Sequence, residues 1–181
     1  MPDATPTDVL REEHRVILKA LDVLDGARER LSAGERVADA AWHGVLDWLR
    51  TFADARHHAK EERVLFPTML QAGVPAEGGP VQVMLEEHEL ARSLIAAMAE
   101  GPASLRAATA DRYVRLLRDH IDKENLVLFP LADDVLDEQT VAAVRRNFEA
   151  ADIEQRAAPI DLAEAALEDL SAALGASIGT H

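Results

Sequence analysis

The sequence contains no cysteine. Disulfide staples, thiolate-bound zinc, cysteine-ligated iron–sulfur clusters and a cysteine nucleophile are all excluded, so any metal site must be built from His, Asp and Glu. No run of five basic residues occurs, and the net charge is −14. Nucleic acid and anionic membrane surfaces both require concentrated positive charge, so neither is expected as a partner. No apolar run approaches the length of a membrane span, and the opening residues Met1-Pro2-Asp3-Ala4-Thr5-Pro6 lack the basic and apolar regions of a secretory signal. The chain therefore reads as cytoplasmic. Aromatic residues make up only 4%, and with β-branched residues scattered, the composition favours helix over sheet.

What is present is enough for one folded unit: 181 residues, 48% hydrophobic and 29% charged. Thr5-Pro6 reads as an N-cap followed by proline at the first helical position. From there Val9, Leu10, Ile17, Leu18, Leu21 and Leu24 recur at helical spacing as far as Gly34. A second helix is expected from about Val37, with Pro67 kinking or ending its regular part. The segment 72–80 is a loop. A third helix spans about Val81 to Glu100, and a fourth runs from near Ser104 to Pro130. Four long helices joined by short turns, each with one apolar stripe, predict an all-α fold: an up-and-down antiparallel four-helix bundle over residues 1–136. A C-terminal helical extension and tail occupies 137–181. It contains a shorter helix over Gln139 to Ala151 and a narrow stripe of Ile160, Ala163, Leu167, Leu170 and Leu174. That stripe is expected to pack across the end of the bundle, with packing against another subunit as the alternative and Gly175 to His181 loose.

One stretch organises the rest. His57-His58-Ala59-Lys60-Glu61-Glu62-Arg63-Val64-Leu65-Phe66-Pro67 is written again as His120-Ile121-Asp122-Lys123-Glu124-Asn125-Leu126-Val127-Leu128-Phe129-Pro130. The shared His and Glu lie four apart, on one helical face, where an imidazole nitrogen and a carboxylate oxygen can converge. Glu12-Glu13-His14 is echoed in the same way by Glu86-Glu87-His88. Each half thus supplies a helix with one His and then a helix with His-x-x-x-Glu. The pattern points to His14, His57, Glu61, His88, His120 and Glu124 as metal ligands, because burying so many polar groups without a cation would be costly. The comparison of the two copies sets aside His58 and Glu62, which face Ile121 and Asn125 in the second copy. Lys60, a third of a turn off the His/Glu face, is expected to reach solvent. His43 lies fourteen residues before His57, roughly 20 Å away along a helix, and belongs to another layer. His181 is given no role.

Four imidazoles and two carboxylates are too many for tetrahedral zinc and too nitrogen-rich for calcium or magnesium. They suit two first-row transition ions, each holding two His, with both carboxylates and an oxo or hydroxo group bridging. Iron is the natural choice, ahead of manganese.

With these residues in view, the sequence resembles the hemerythrin-like, or HHE cation-binding, family. The resemblance rests on His14, His57-x-x-x-Glu61 with Leu65-Phe66-Pro67, Glu87-His88, and His120-x-x-x-Glu124 with Leu128-Phe129-Pro130. It covers about residues 7–135. It implies a non-haem di-iron centre inside a four-helix bundle, with His14 and His57 on one iron, His88 and His120 on the other, and Glu61 and Glu124 bridging. The oxygen carriers of that family have a fifth His one turn beyond the third-helix His, and an Asp one residue after the position of Glu124. Here the fifth position is Arg92, free either to pair with a carboxylate or anion or to face solvent. Two open iron positions would suit peroxide, so catalase- or peroxidase-like chemistry is one expectation, with Tyr113 as an outer-shell donor or a plain core residue. The alternative is a non-enzymatic module that binds, stores or senses dioxygen, nitric oxide or iron.

Overall fold

Thr5 starts the first helix with a reciprocal cap: its side chain accepts from Asp8 N, and Asp8 accepts from Thr5 N. This helix, α1, runs Pro6–Ser32 and ends beside Gly34, whose φ of 79° a side chain would resist. The computed structural model describes residues 4–175. The expectation of a loose tail at 176–181, and with it His181, lies outside the described residues.

The second long helix starts as α2 (Asp39–Trp48) and then widens into two π-helical segments, Leu49–His58 and Glu61–Leu65, before tightening as α3 (Phe66–Gln71). The helix continues past Pro67 through Thr68 to Gln71. Phe66 N–H reaches back five residues to Glu61 O, and a turn that wide moves the carbonyl with which a proline ring would otherwise collide. After the loop come α4 (Pro80–Glu100) and α5 (Arg106–Lys123). The repeat then recurs in the backbone. A π-helical segment Glu124–Leu128, with Phe129 N–H bonded to Glu124 O, leads into α6 (Phe129–Val135) past Pro130.

The described residues are helical throughout, with turns and loops between helices and no strand, and they form a helical bundle. Contacts set the directions of the rods. Thr7, His14 and Asp22 on α1 meet Asp133, Asn125 and Arg118 respectively, so α1 and the α5–α6 rod run antiparallel. On α4, His88, Arg92 and the Met98 carbonyl meet Glu62, Asp54 and Trp42, again in opposite senses.

Two helices follow: α7 (Glu138–Glu154), capped by Asp137, and α8 (Ile160–Leu174). The stripe on α8 does bury itself locally, but along the flank of the bundle instead of across its end. Arg15 and Lys19 pair with Glu164, and Arg30 donates to Leu174 O, so α8 lies lengthwise on α1. Trp48 Nε1 donates to Ala163 O at 3.0 Å. A Cβ on Gly44 would stand 2.6 Å from Leu170 Cδ2, and this glycine lets α8 close on α2. No helix among the described residues is long and apolar enough to cross a membrane.

The core has two apolar halves. One contains Ile17, Leu21, Leu49, Phe52, Ala91, Ile95, Leu117 and Ile121. The other contains Leu10, Leu65, Phe66, Met84, Leu128 and Phe129. On the first three rods the His and Glu positions fall between these two sets, and on the α5–α6 rod His120 and Glu124 lie on either side of Ile121 at the boundary, so a polar layer divides the core.

Candidate metal centre

The wide turns determine which side chains enter that layer. In an α-helix neighbouring residues diverge strongly around the axis, whereas a π-helical turn spreads more residues over each revolution. His57 and His58 close one such segment and Glu61 opens the next. His14, His57, His58, Glu61, His88, His120 and Glu124 are all buried. Their donor atoms form two close groups that share Glu61: His14, His57, Glu61 and Glu124, and His58, Glu61, His88 and His120.

Each carboxylate spans the layer. Glu61 lies 3.5 Å by Oε1 from His57 Nε2 and 3.5 Å by Oε2 from His88 Nε2. Glu124 lies 3.3 Å by Oε1 from His120 Nε2 and 3.1 Å by Oε2 from His14 Nε2. Despite this proximity, both oxygens of both Glu residues, and Nε2 of His14 and His57, have no aligned hydrogen-bond partner. Buried polar atoms are rarely left so. His88 Nε2 and His120 Nε2 face each other at 3.1 Å, a separation that needs a proton or a cation between them. The inward atoms are therefore placed to hold metal cations, and they fall into two close groups.

The outward nitrogens are held. His57 Nδ1 donates to Glu13 (3.1 Å), His120 Nδ1 to Glu87 (2.9 Å), His88 Nδ1 to Glu62 (2.7 Å) and His14 Nδ1 to Asn125 Oδ1 (2.9 Å). Each of these bonds holds a proton on Nδ1 and turns Nε2 inward, the orientation a metal requires. His58 Nδ1 lies 3.5 Å from Asp54, and its ring stacks on His88 with centroids 3.8 Å apart. The arrangement obeys the sequence repeat. Glu13 and Glu87 serve the His of their own half, while Glu62 and Asn125, at one repeat position, serve the lone His of the other half. Phe66 and Phe129 stack on His88 and His14 in the same crossed fashion.

Protonation follows burial and charge. Burial, reinforced by His14, pushes His57 down to about 4. Burial and the nearby His88 push His58 well below the ordinary imidazole range, and burial lowers His88. For His120 burial acts downward too, but Glu124 and Glu87 outweigh it and raise the ring to about 9. Burial and the facing Glu124 push Glu61 well above the carboxylate range. Glu124 is driven well below it because His120 and His14 overcome its burial. Two carboxylates in one dry layer resist ionising together, and a shared cation removes that conflict.

Residues 5–132 match the family model described as "Hemerythrin HHE cation binding domain". The chain belongs to this hemerythrin HHE family. Among curated relatives, the "Iron-sulfur cluster repair protein YtfE" of Musicola paradisiaca is 32% identical over 136 residues, covering 67% of this chain and 60% of that protein. The "Uncharacterized protein Rv1995" of Mycobacterium tuberculosis is 26% identical over 159 residues, covering 82% of this chain and 61% of that protein. The chain thus spans about three-fifths of the length of the relatives it matches. No solved structure matches.

All six residues selected from the sequence meet in the layer of this HHE domain, while His43 stays outside it on α2. One expectation is overturned, and one residue that was set aside lies in the layer. His58, set aside because Ile121 faces it in the repeat, has its ring in the layer; the symmetry is broken there, and the wide turn carries both neighbouring rings inward. Lys60 does not reach solvent. It is 1% exposed and donates to Glu13 (2.5 Å), with Asp152 of α7 at 2.8 Å. Burial would raise Glu13, but His57 and Lys60 overcome this and hold it near 2. Lys123 pairs with Glu87 in the equivalent way, so the lysine kept in both copies was the available signal. Arg92 is an ion-pair residue bound to Asp54 (2.8 Å), Glu62 (2.5 Å) and Glu89 (2.8 Å), and so it braces the carboxylate that holds His88. Tyr113 is buried within the apolar core.

Proposed function

We propose that this chain is a non-haem di-iron protein built on an up-and-down four-helix bundle, and that its centre binds a small ligand of the dioxygen, peroxide or nitric oxide class. The observation that carries this reading is Glu61, whose two oxygens face His57 and His88 and have no hydrogen-bond partner. Glu124 repeats the arrangement from the other half. His14, His57, Glu61, His88, His120 and Glu124 would hold the ions, with His58 joining His88 and His120 on one of them. Two irons held this way would supply a redox-active Lewis-acid site for a small ligand.

The residues contribute orientation, dryness and asymmetry. Glu13, Glu62, Glu87 and Asn125 keep four Nε2 atoms turned inward. Phe66 and Phe129 cover the layer on one side. His58 makes the two donor groups unlike: three imidazoles lie with Glu61 in one, and His14 and His57 lie with both carboxylates in the other. Two unequal metal positions would favour reversible binding at one of them over turnover at both. So would the positions of Arg92, committed to three carboxylates, and Tyr113, enclosed in apolar core, since neither is placed to hand a proton to a substrate.

Anaerobic loading with ferrous iron, followed by exposure to dioxygen, tests the reading. Two irons per chain and a stoichiometric spectral change that reverses on removing the gas are expected. Rapid oxygen release from hydrogen peroxide at many turnovers would transfer the assignment to peroxide decomposition. Failure to retain any transition metal would overturn it altogether.

A further inference from the structure

Outside the metal layer, the described residues enclose a half-open cavity of about 500 Å³ between the π-helical segment Leu49–His58 and the α7–α8 connection. Its size lies within the range of small-molecule sites. The floor is apolar: Trp48 and Phe52 stack with centroids 4.7 Å apart, and Ala163 and Ala166 of α8 close the far side. Trp48 Nε1 is fixed by Ala163 O, so the indole presents a rigid face. Leu162 lines the same cavity and is 59% exposed, leaving an apolar side chain in water.

The charge of the lining is one-sided. Arg56 and Arg156 contribute, and no carboxylate does, in a chain whose net charge is −14. The two arginines differ. Arg56 is committed: it lies 3.1 Å from Glu13 and 3.2 Å from Asp152, donates to Ala158 O at 2.8 Å, and covers the Phe52 ring. Arg156 makes no ion pair with the described residues. It is also the one non-glycine residue among them at positive φ, 50°, where it ends α7. A glycine would adopt that backbone at lower cost, so the position keeps a guanidinium against local backbone preference. A strained residue facing a cavity is the kind of outlier that marks a binding site.

We propose that this cavity is a binding site for a small amphipathic carboxylate, its apolar body on Trp48 and Phe52 and its anionic head on Arg156. The apolar floor calls for a hydrocarbon or aromatic body, and the acid-free, cation-bearing lining selects a negative head over a neutral or positive one. None of the metal-layer residues lines the cavity, so this site stands apart from the centre and does not depend on its assignment.

Calorimetric titration of the full chain with decanoate, kept below its micelle concentration, tests the proposal, with decanol as the neutral comparator. One saturable site per chain is expected, accompanied by a change in tryptophan fluorescence and at least tenfold weaker binding of decanol. Arg156→Gly should weaken decanoate at least tenfold while leaving decanol unchanged. It should not lower the melting temperature, because glycine suits that backbone. Ala166→Phe, which fills the cavity, should abolish both. Equal affinity for acid and alcohol, decanoate binding unaffected by Arg156→Gly, or heat that does not saturate at one per chain would overturn it.

Discussion

His58 and Ile121 occupy one repeat position, and the difference between them breaks the symmetry of the layer. An isoleucine there would only add to the core; the imidazole of His58 instead stacks on His88 and brings a nitrogen within reach of Glu61, His88 and His120. Glu61 belongs to both donor groups and His58 to one. Glu61→Ala should therefore cost both ions, while His58→Ala should weaken one. The loss in the second case should exceed the roughly 10–100-fold expected from removing an outer partner. Metal analysis after dialysis against graded chelator gives the answer. If His58→Ala holds two ions as firmly as the parent, His58 is a packing ring and the centre has four imidazoles.

At the scale of the helix, the repeat of Leu-Phe-Pro after each Glu takes on a structural meaning. In an ordinary helix interior, replacing proline by alanine would gain about 3 kcal/mol. Pro67 and Pro130 follow turns in which Phe66 and Phe129 reach back five residues, so the clash and the lost bond are already accommodated. Pro67→Ala should gain less than about 1 kcal/mol by denaturant unfolding, and a full proline-sized gain would show that the wide turn does not relieve the ring. The docking of α8 answers to pH instead. Arg15 and Lys19, at 2.7 and 2.8 Å, hold Glu164 down to about 2. Its folded value is depressed, so its contribution is full above the unfolded value near 4.5 and disappears as pH falls from there through about 2. The residue is partly exposed, and the contribution is limited to about 1 kcal/mol. Glu164→Gln should lower stability by that amount at pH 7, with the gap to the parent closing as the solution is acidified. A gap that persists unchanged at pH 3 would assign it to packing. The long helices and their buried faces were legible in the sequence because a period of 3.6 survives small changes of winding, and the six paired His and Glu positions were legible because they are written twice. The π-helical turns were not, since one extra residue per turn barely alters a hydrophobic stripe. Lys60 and the place of α8 were not either, because Asp152, Glu164 and Gly44 are distant in sequence and local pattern carries no distances.

Over the whole molecule, one polar layer interrupts an otherwise continuous core between Leu10 and Ile17 on α1 and between Leu117 and Leu128 on the α5–α6 rod. Without cations, that layer leaves both carboxylates of Glu61 and Glu124 without hydrogen-bond partners and two carboxylates competing for one proton. A ligand that binds only the folded chain stabilises it by mass action: about 2.7 kcal/mol for each site at a hundredfold excess over its dissociation constant. Two such sites correspond to a rise of roughly 10–20 °C in melting temperature for a chain of this size, at about 2–4 °C per kcal/mol. Calorimetry of the iron-loaded and chelator-treated protein should show that difference. In Glu61→Ala the melting temperature should be the same with and without iron, because the residue shared by both donor groups is gone. A parent protein that melts at one temperature in both states would mean that the layer is a structural polar network and not a metal centre.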